Sequence, residues 1–153
     1  MSLTLSTSTL QDYPARYLAA WNQRDIATAL MVVHPQVHWV DPLLPQPLTD
    51  HDGAAAFFVG AWQGFPDLTF HAVGDPLVDI QAGRVAAEWR MTGTHTGEFP
   101  PGAPISGNAF EVFGTDVWQV DADGRATSVR AYYDSLTLLR AIGLAGNSAG
   151  GQS

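Results

Sequence analysis

The sequence predicts an α+β fold in which N-terminal helices pack on a curved, mainly antiparallel sheet. Three observations support this prediction. Apolar residues recur at helical spacing as far as Gly64, they alternate like strand residues from there on, and 153 residues is the length of one domain. Because the helices come first and the strands follow, the helices can cover only one face of the sheet.

The composition is that of a globular protein with an acidic surface. Hydrophobic residues make up 46% of the chain, charged residues make up 14%, and the formal net charge is -8. All seven basic residues are arginines, and cysteine is absent, so disulfides and thiolate ligands are excluded. Nucleic acids and anionic membranes need a basic face on their partner, so we expect neither. Without a recognisable signal peptide, we expect a cytoplasmic protein.

The first predicted helical region covers residues 10 to 33 and contains a break near Asp25, which we expect to cap its second half. A third helix is predicted to begin after Thr49 or Asp50 and to end around Gly64. The first prediction rests on the apolar positions Leu10, Tyr13, Tyr17, Leu18, Trp21, Ile26, Leu30 and Val33.

Between these helices, the segment "HPQVHWVDP", residues 34 to 42, is predicted to be a strand. Pro35 ends the helix, and alternation then places Val37, Trp39 and Asp41 on one face. An aspartate before a proline commonly starts a turn. A carboxylate on an apolar face, however, gains nothing from its neighbours unless a partner or a chemical role holds it there. Asp41 is therefore either a turn residue or a base with a raised pKa.

The remainder of the domain is predicted to be strands joined by hairpins, with turns at Ala82-Gly83 and at "DADG". A short helix, "SLTLLRAIGL", follows the last strand. We expect one domain over residues 10–144, with a flexible N-terminus at 1–9 and a disordered tail at 145–153. The predicted strands are "LTFHAV", "PLVDI", "RVAAEWRMTGT", "NAFEVFGTDVWQV" and "RATSVRAYYD".

Strand alternation singles out Asp116 as a charged residue on an apolar face, which it shares with Phe110 and Trp118. An ion pair with Arg90 or Arg130 is the alternative interpretation of this position. A carboxylic acid removed from water has a raised pKa. It then acts as a base nearer neutrality, or it stays protonated and donates a hydrogen bond.

Asp134 closes the last predicted strand on its more polar side. It is either a functional acid or the N-cap of the short helix that follows.

The stretch "RYLAAWNQRDIATALMVVHPQVHWVDP", residues 16 to 42, resembles the opening of ketosteroid isomerases. Their cone-shaped barrel fold is named after nuclear transport factor two, and it begins with a helix that bears a tyrosine and a strand that ends in Asp-Pro. The resemblance implies that Asp41 is a base that moves a proton next to a carbonyl group. It also implies that Tyr17 and a protonated Asp116 form an oxyanion hole.

Two later stretches, "WRMTGTHTGEFPPGAPISG" and "DADGRATSVRAYYDSLTLLRAIGL", are similar to SnoaL-like polyketide cyclases. In that family an aspartate of the last strand region works with a histidine, so this resemblance implies an acid–base pair of Asp134 and His95. Limonene epoxide hydrolases share the fold and pair an arginine with an aspartate two residues later. Here Arg90 is followed at that spacing by Thr92, so this activity is the less favoured one.

Three functions are consistent with these residues. In the first, Asp41 removes a proton α to a carbonyl of an apolar polycyclic small molecule, of polyketide or steroid-like kind. In the second, Asp134 and His95 close a polyketide ring. In the third, the same fold binds a small molecule or a partner protein without chemistry.

Large side chains are expected to line the pocket of this domain. We expect no cofactor and no metal site, because the chain has no glycine-rich phosphate loop, no lysine and no credible cluster of metal ligands. The resemblance also implies a homodimer. The expected substrate-binding residues are Trp39, Phe58, Trp62, Trp89, Arg90 and Trp118.

Overall fold

A computed structural model of the protein describes residues 5–145. Helices dominate the chain up to Gly64 and strands dominate after it, with one strand between the second and third helices, as predicted. Of the two flexible ends that the sequence predicts, residues 1–4 and 146–153 lie outside the described residues. The elements in chain order are α1 (Thr7–Gln23), α2 (Ile26–Leu30), β1 (Val33–Val40), α3 (His51–Gly64), β2 (Thr69–Asp79), β3 (Arg84–Thr94), β4 (Ala109–Val120), β5 (Ala126–Tyr133) and α4 (Ser135–Ala141).

The five strands form one mixed sheet in the order β1-β5-β4-β3-β2. β2, β3, β4 and β5 pair antiparallel in succession, whereas β1 runs parallel to β5. Trp39 of β1 lies opposite Val129 of β5. Since the two strands run in the same direction, Asp41 leaves β1 beside the carboxyl end of β5.

α1 covers the inner face of the sheet with a stripe of buried residues that includes Tyr13, Tyr17 and Trp21. It begins earlier than predicted, because the Ser6 side chain caps it by accepting a hydrogen bond from the amide of Thr9 at 3.0 Å. No helix among the described residues has both the length and the apolar character needed to cross a membrane.

The structure corrects two of the predicted element boundaries. Val33 belongs to β1 rather than to the preceding helix. The segments "LTFHAV" and "PLVDI" are one strand, β2, whose pairing with β3 is interrupted by a bulge between Val73 and Leu77. Gly74 lies in this bulge with φ 76°, a backbone conformation that glycine adopts without steric strain.

The main core lies between the inner face of the sheet and helices α1 and α3. Trp39, Phe58 and Trp118 are all but completely buried there, with Trp39 and Phe58 ring centroids 5.4 Å apart. The predicted alternation along β4 is confirmed, because Phe110 and Asp116 are buried on the same face. The apolar side of each strand therefore faces the helices, and the opposite side forms an outer face.

Candidate active site

A cavity opens between α1, α3 and the inner face of the sheet. The space within it, including its mouth, is about 510 Å³. Tyr17, Asp41, Asp116 and Tyr133 contribute polar groups to its wall. The other lining residues are Trp21, Leu43, Phe57, Ala61, Phe65, Leu68, Phe70, Trp89, Met91, Phe99, Phe110, Ala131 and Leu138.

Asp41 takes part in a turn and also lines the cavity, so its turn role does not exclude a role in the site. Its carbonyl oxygen accepts a hydrogen bond from the amide of Leu44 at 2.9 Å, which forms the turn. Its Oδ1 accepts two hydrogen bonds, from the amide of Leu43 at 2.9 Å and from the hydroxyl of Tyr133 at 2.7 Å. Both of these bonds go to Oδ1. No side chain or amide among residues 5–145 donates to Oδ2, so this oxygen is free to contact a ligand.

The environment of Asp41 changes its proton affinity in two opposing ways. The residue is 8% exposed, and burial raises its pKa above the ordinary value because the charged form is poorly solvated. The hydrogen bonds from Leu43 and Tyr133 stabilise the carboxylate and act in the opposite direction. The net shift of the Asp41 pKa is upward.

Asp116 lies on β4 between two small neighbours, Ala87 of β3 and Ala131 of β5. It is 3% exposed, and its Oδ1 is buried without a hydrogen-bond partner in the described part of the chain. Burial, followed by the charge of Asp41, raises the pKa of Asp116 well above the usual range. The indole N–H of Trp89 opposes this increase, although it makes no hydrogen bond of normal geometry.

Tyr17 of α1 presents its phenol to the same cavity. The ring is buried between Trp39 and Trp118, with centroid separations of 6.0 and 5.0 Å. Burial, followed by the charge of Asp116, raises the pKa of Tyr17 well above its ordinary value. The phenol therefore keeps its proton and can act as a hydrogen-bond donor.

Tyr133 of β5 is a site residue that the sequence analysis does not identify. Its ring packs against Trp89 with centroids 5.5 Å apart, and its hydroxyl donates to Asp41. Burial, followed by the charge of Asp41, raises the pKa of Tyr133. Alternation in β5 could have revealed it, because Tyr133 shares the inward face with Val129, whereas Asp134 is on the other side.

The pair implied by the cyclase resemblance, Asp134 and His95, does not line the cavity. Asp134 is exposed and caps α4, where it accepts hydrogen bonds from the amide and hydroxyl of Thr137 at 3.1 and 2.6 Å. These bonds lower the pKa of Asp134. His95 is completely buried, and its Nδ1 accepts the amide N–H of Ser106 at 3.1 Å. The cap interpretation of Asp134 is therefore the one that its contacts support.

Among the aromatic residues expected to bind substrate, Trp89 lines the cavity. Trp39, Phe58 and Trp118 are packed in the core instead. Trp62 is partly buried, and its indole N–H donates to the carbonyl oxygen of Trp21 at 2.9 Å. This placement corrects the expectation for these four residues, because large aromatic side chains mark the core as readily as they mark a pocket.

Arg90 lies on the outer face of the sheet and pairs with Glu111 at 2.9 Å. It therefore neither lines the cavity nor neutralises Asp116, which corrects the expectation that it binds substrate. The proposed ion pair with Arg130 is not formed either, since Arg130 is exposed on the same outer side.

The loop between β3 and β4 completes the cavity wall through Phe99. This loop approaches the end of α3 closely, and the amide of Gly97 donates to the carbonyl oxygen of Gly64 at 3.0 Å. A Cβ atom on Gly97 would lie 1.8 Å from the carbonyl oxygen of Gln63, so only glycine permits the contact.

A family model described as SnoaL-like polyketide cyclase matches residues 11–142. TsrD of Streptomyces laurentii is similar over 92% of this chain and 98% of its own, with 24% identity and a TM-score of 0.74. AclR of Streptomyces galilaeus is similar over 93% of this chain and 89% of its own, with 20% identity and a TM-score of 0.75. IdmH of Streptomyces antibioticus is similar over 86% of this chain and 96% of its own, with 27% identity and a TM-score of 0.68. No curated protein matches the chain.

These structural similarities confirm the predicted fold, in which helices cover one face of a curved sheet. They extend over most of each chain.

Proposed function

The chain belongs to the SnoaL-like polyketide cyclase family, and from this premise we propose that it is a cofactor-independent acid–base enzyme of the isomerase or cyclase type. In this proposal it abstracts a proton α to a carbonyl of an apolar polycyclic small molecule, of polyketide or steroid-like kind. The observation that carries the proposal is that Asp41, Asp116 and Tyr17 share one largely apolar cavity. Titratable groups with raised pKa values in a cavity of this kind mark candidate catalytic sites.

Asp41 is the proposed base. Its Oδ1 is held by the amide of Leu43 and the hydroxyl of Tyr133, which leaves Oδ2 to receive the proton. As the α C–H bond breaks, its electron pair forms the enolate and the proton moves to Oδ2. An isomerase returns this proton to another carbon. In a cyclase the enolate carbon attacks a second carbonyl within the same molecule, the π electron pair of that carbonyl moves onto its oxygen, and this oxygen takes the proton from Oδ2. A positioned base of this kind contributes about 10² to 10⁴-fold in rate.

Asp116 and Tyr17 are the proposed donors to the enolate oxygen. Burial favours the protonated form of both groups, so each has an O–H to donate. Donors held in a site that excludes water stabilise developing negative charge more strongly than water does, because they need no reorganisation during the reaction.

The substitution Asp41→Asn tests this proposal. Polycyclic ketones with α hydrogens are incubated with the protein in heavy water, and deuterium uptake is followed by mass spectrometry. We expect exchange to fall by about 10² to 10⁴-fold in the variant, since the base is removed while the shape of the side chain is kept. Asp12→Asn is the matched control, because Asp12 is exposed on α1 and should leave exchange unchanged. Undiminished exchange in Asp41→Asn would contradict the proposal.

A non-catalytic binding protein is the second candidate. The observation in its favour is the aromatic wall, including Trp21, Phe70 and Trp89, which would hold an apolar ligand whether or not the carboxyl groups react. Wild-type protein that binds the ketones without exchanging their α hydrogens would support this candidate. The cyclase version based on Asp134 is the less favoured, because that carboxylate caps α4.

The homodimer implied by the resemblance is also part of this proposal. The described helices cover the inner face of the sheet, and Phe113 is 59% exposed on the outer face of β4. An exposed aromatic residue on an uncovered sheet face is a natural centre for contact with a second copy. Light scattering that gives the mass of one chain would contradict this assembly.

A further inference from the structure

The cavity contains acidic groups without any basic group to balance them. Asp41 and Asp116 both contribute to its wall, and no arginine or histidine is found among the described lining residues. The whole sequence contains no lysine and carries a formal net charge of -8. Both the local and the overall charge therefore oppose an anionic ligand and favour a cationic one.

Asp116 has an unsatisfied acceptor. Its Oδ1 is buried, and no group among residues 5–145 makes a hydrogen bond of normal geometry to it, the indole N–H of Trp89 included. The neighbours on the adjacent strands, Ala87 and Ala131, carry no polar side chain that could do so. An unpaired buried acceptor typically costs about 1–3 kcal/mol, so a ligand that brings a donor would regain this energy.

Aromatic rings share the cavity wall with these carboxyl groups. Trp21, Phe70 and Trp89 line the cavity, and the Phe70 and Trp89 rings meet edge to face with centroids 5.1 Å apart. The faces of aromatic rings attract an ammonium group, and this attraction strengthens when water is excluded. The same rings bury the hydrocarbon part of a ligand.

We propose that the cavity binds apolar aromatic amines in their protonated form, with an ammonium N–H donating to Asp116 and the rings of the ligand packing on the aromatic wall. This inference rests on the cavity being the ligand site of the proposed function, but not on Asp41 acting as a base. The ligand class that it assigns is an amino-substituted polycycle rather than a carboxylated one. Such a ligand holds Asp116 as a carboxylate, so it occupies the cavity in place of an enolate, which needs Asp116 protonated.

The pH dependence of binding follows from the ion pair. Besides Asp116, the titratable groups in the wall are Tyr17 of α1, Asp41 after β1 and Tyr133 of β5. The other elements that line the cavity contribute apolar side chains and the indole of Trp89. An ammonium ion pairs with the carboxylate form, so binding displaces the proton from Asp116. Affinity should rise with pH as Asp116 ionises and should fall only when the amine itself loses its proton.

Three anthracene probes that differ in one group test the proposal: anthracenylmethylamine, anthracenylmethanol and anthracene carboxylate. Binding is measured by calorimetry at several pH values and repeated with the corresponding naphthalenes. Near neutral pH we expect the amine to bind about tenfold more tightly than the alcohol, and the carboxylate to bind most weakly. The preference for the amine should increase as the pH is raised from the acidic range.

The variant Asp116→Asn should abolish the preference for the amine over the alcohol while retaining alcohol binding. Asp12→Asn is the control, because it changes the net charge equally at an exposed position outside the cavity. The proposal is overturned if neither amine binds, if the alcohol or carboxylate binds as tightly as the amine, or if both variants have the same effect. These are binding measurements, so a failed deuterium-exchange test would not affect them, and their failure would leave the proposed proton transfer intact.

Discussion

At the scale of single residues, the hydrogen bond from Tyr133 to Asp41 determines how the proposed base is held. Tyr133→Phe removes this donor but keeps the ring that packs on Trp89. Because the lost bond stabilises the carboxylate, we expect the pKa of Asp41 to rise further. The acid limb of the pH profile of kcat/KM should move to higher pH, and kcat at its optimum should fall about tenfold as positioning is lost.

The neighbouring Tyr132 offers a matched control for this prediction. It is 55% exposed and lies on the opposite side of β5, so Tyr132→Phe also removes one phenol hydroxyl, but from the outer surface. Its pH profile should coincide with that of the wild type. An unshifted acid limb in Tyr133→Phe would show that the tyrosine plays a structural role only.

Much of the site could be predicted from single residues, but one part could not. Asp41 and Asp116 stand out because a carboxylate on an apolar face is unusual, and alternation assigns each of them to the inner face. Alternation places Tyr133 on the inner face too, but it does not stand out there, since a tyrosine suits a core position as well as a site. Its importance depends on the parallel pairing of β1 with β5, which brings it to Asp41.

At the scale of elements, Gly114 sets the spacing between the strands that carry the site. It pairs with Trp89 of β3 and with Tyr133 of β5, and a Cβ atom here would lie 2.5 Å from the Trp89 ring and 2.8 Å from the carbonyl oxygen of Tyr132. Gly114→Ala should therefore displace Trp89 and lower the free energy of unfolding by about 1–3 kcal/mol. Urea denaturation measures this change, and deuterium exchange should fall at the same time.

Gly60 of α3 provides the comparison for that substitution. A Cβ atom at this position meets nothing within 4 Å, so Gly60→Ala should be neutral or should stabilise the helix by up to about 1 kcal/mol. Equal effects of the two substitutions would mean that the close contact at Gly114 does not matter.

The elements themselves were predictable where the signal is local. Asp50, one of the two caps that the sequence predicts, caps α3 by accepting the amide N–H of Gly53 at 2.8 Å. The parallel partner of β1 was not predictable, because β5 lies far away in the chain and alternation does not specify which strands pair. The bulge after Val73 was missed for a related reason, since Pro76 and Gly74 there resemble an ordinary turn.

At the scale of the whole molecule, the buried carboxyl groups connect the site to stability. The pKa of Asp116 is raised in the folded state, so the folded protein binds its proton more tightly than the unfolded chain does. The stabilisation that this proton gives is complete below the unfolded pKa and is lost as pH rises through the folded pKa. Asp41 acts in the same direction, because its pKa is also raised. Both groups therefore lower the stability of the protein as it moves from acidic to neutral pH.

Asp116→Asn should remove the larger part of this pH dependence. The amide resembles the protonated acid in shape but cannot ionise, so the variant should gain stability relative to the wild type as pH rises from about 4 to about 8. The gain amounts to about 1.4 kcal/mol for each pH unit that separates the folded and unfolded pKa values. Urea unfolding across this range measures it, with Asp12→Asn as the exposed control. The stability difference between variant and wild type could instead stay constant with pH. This result would mean that Asp116 ionises as easily in the cavity as in water. The protonated donor required for an oxyanion hole would then be absent.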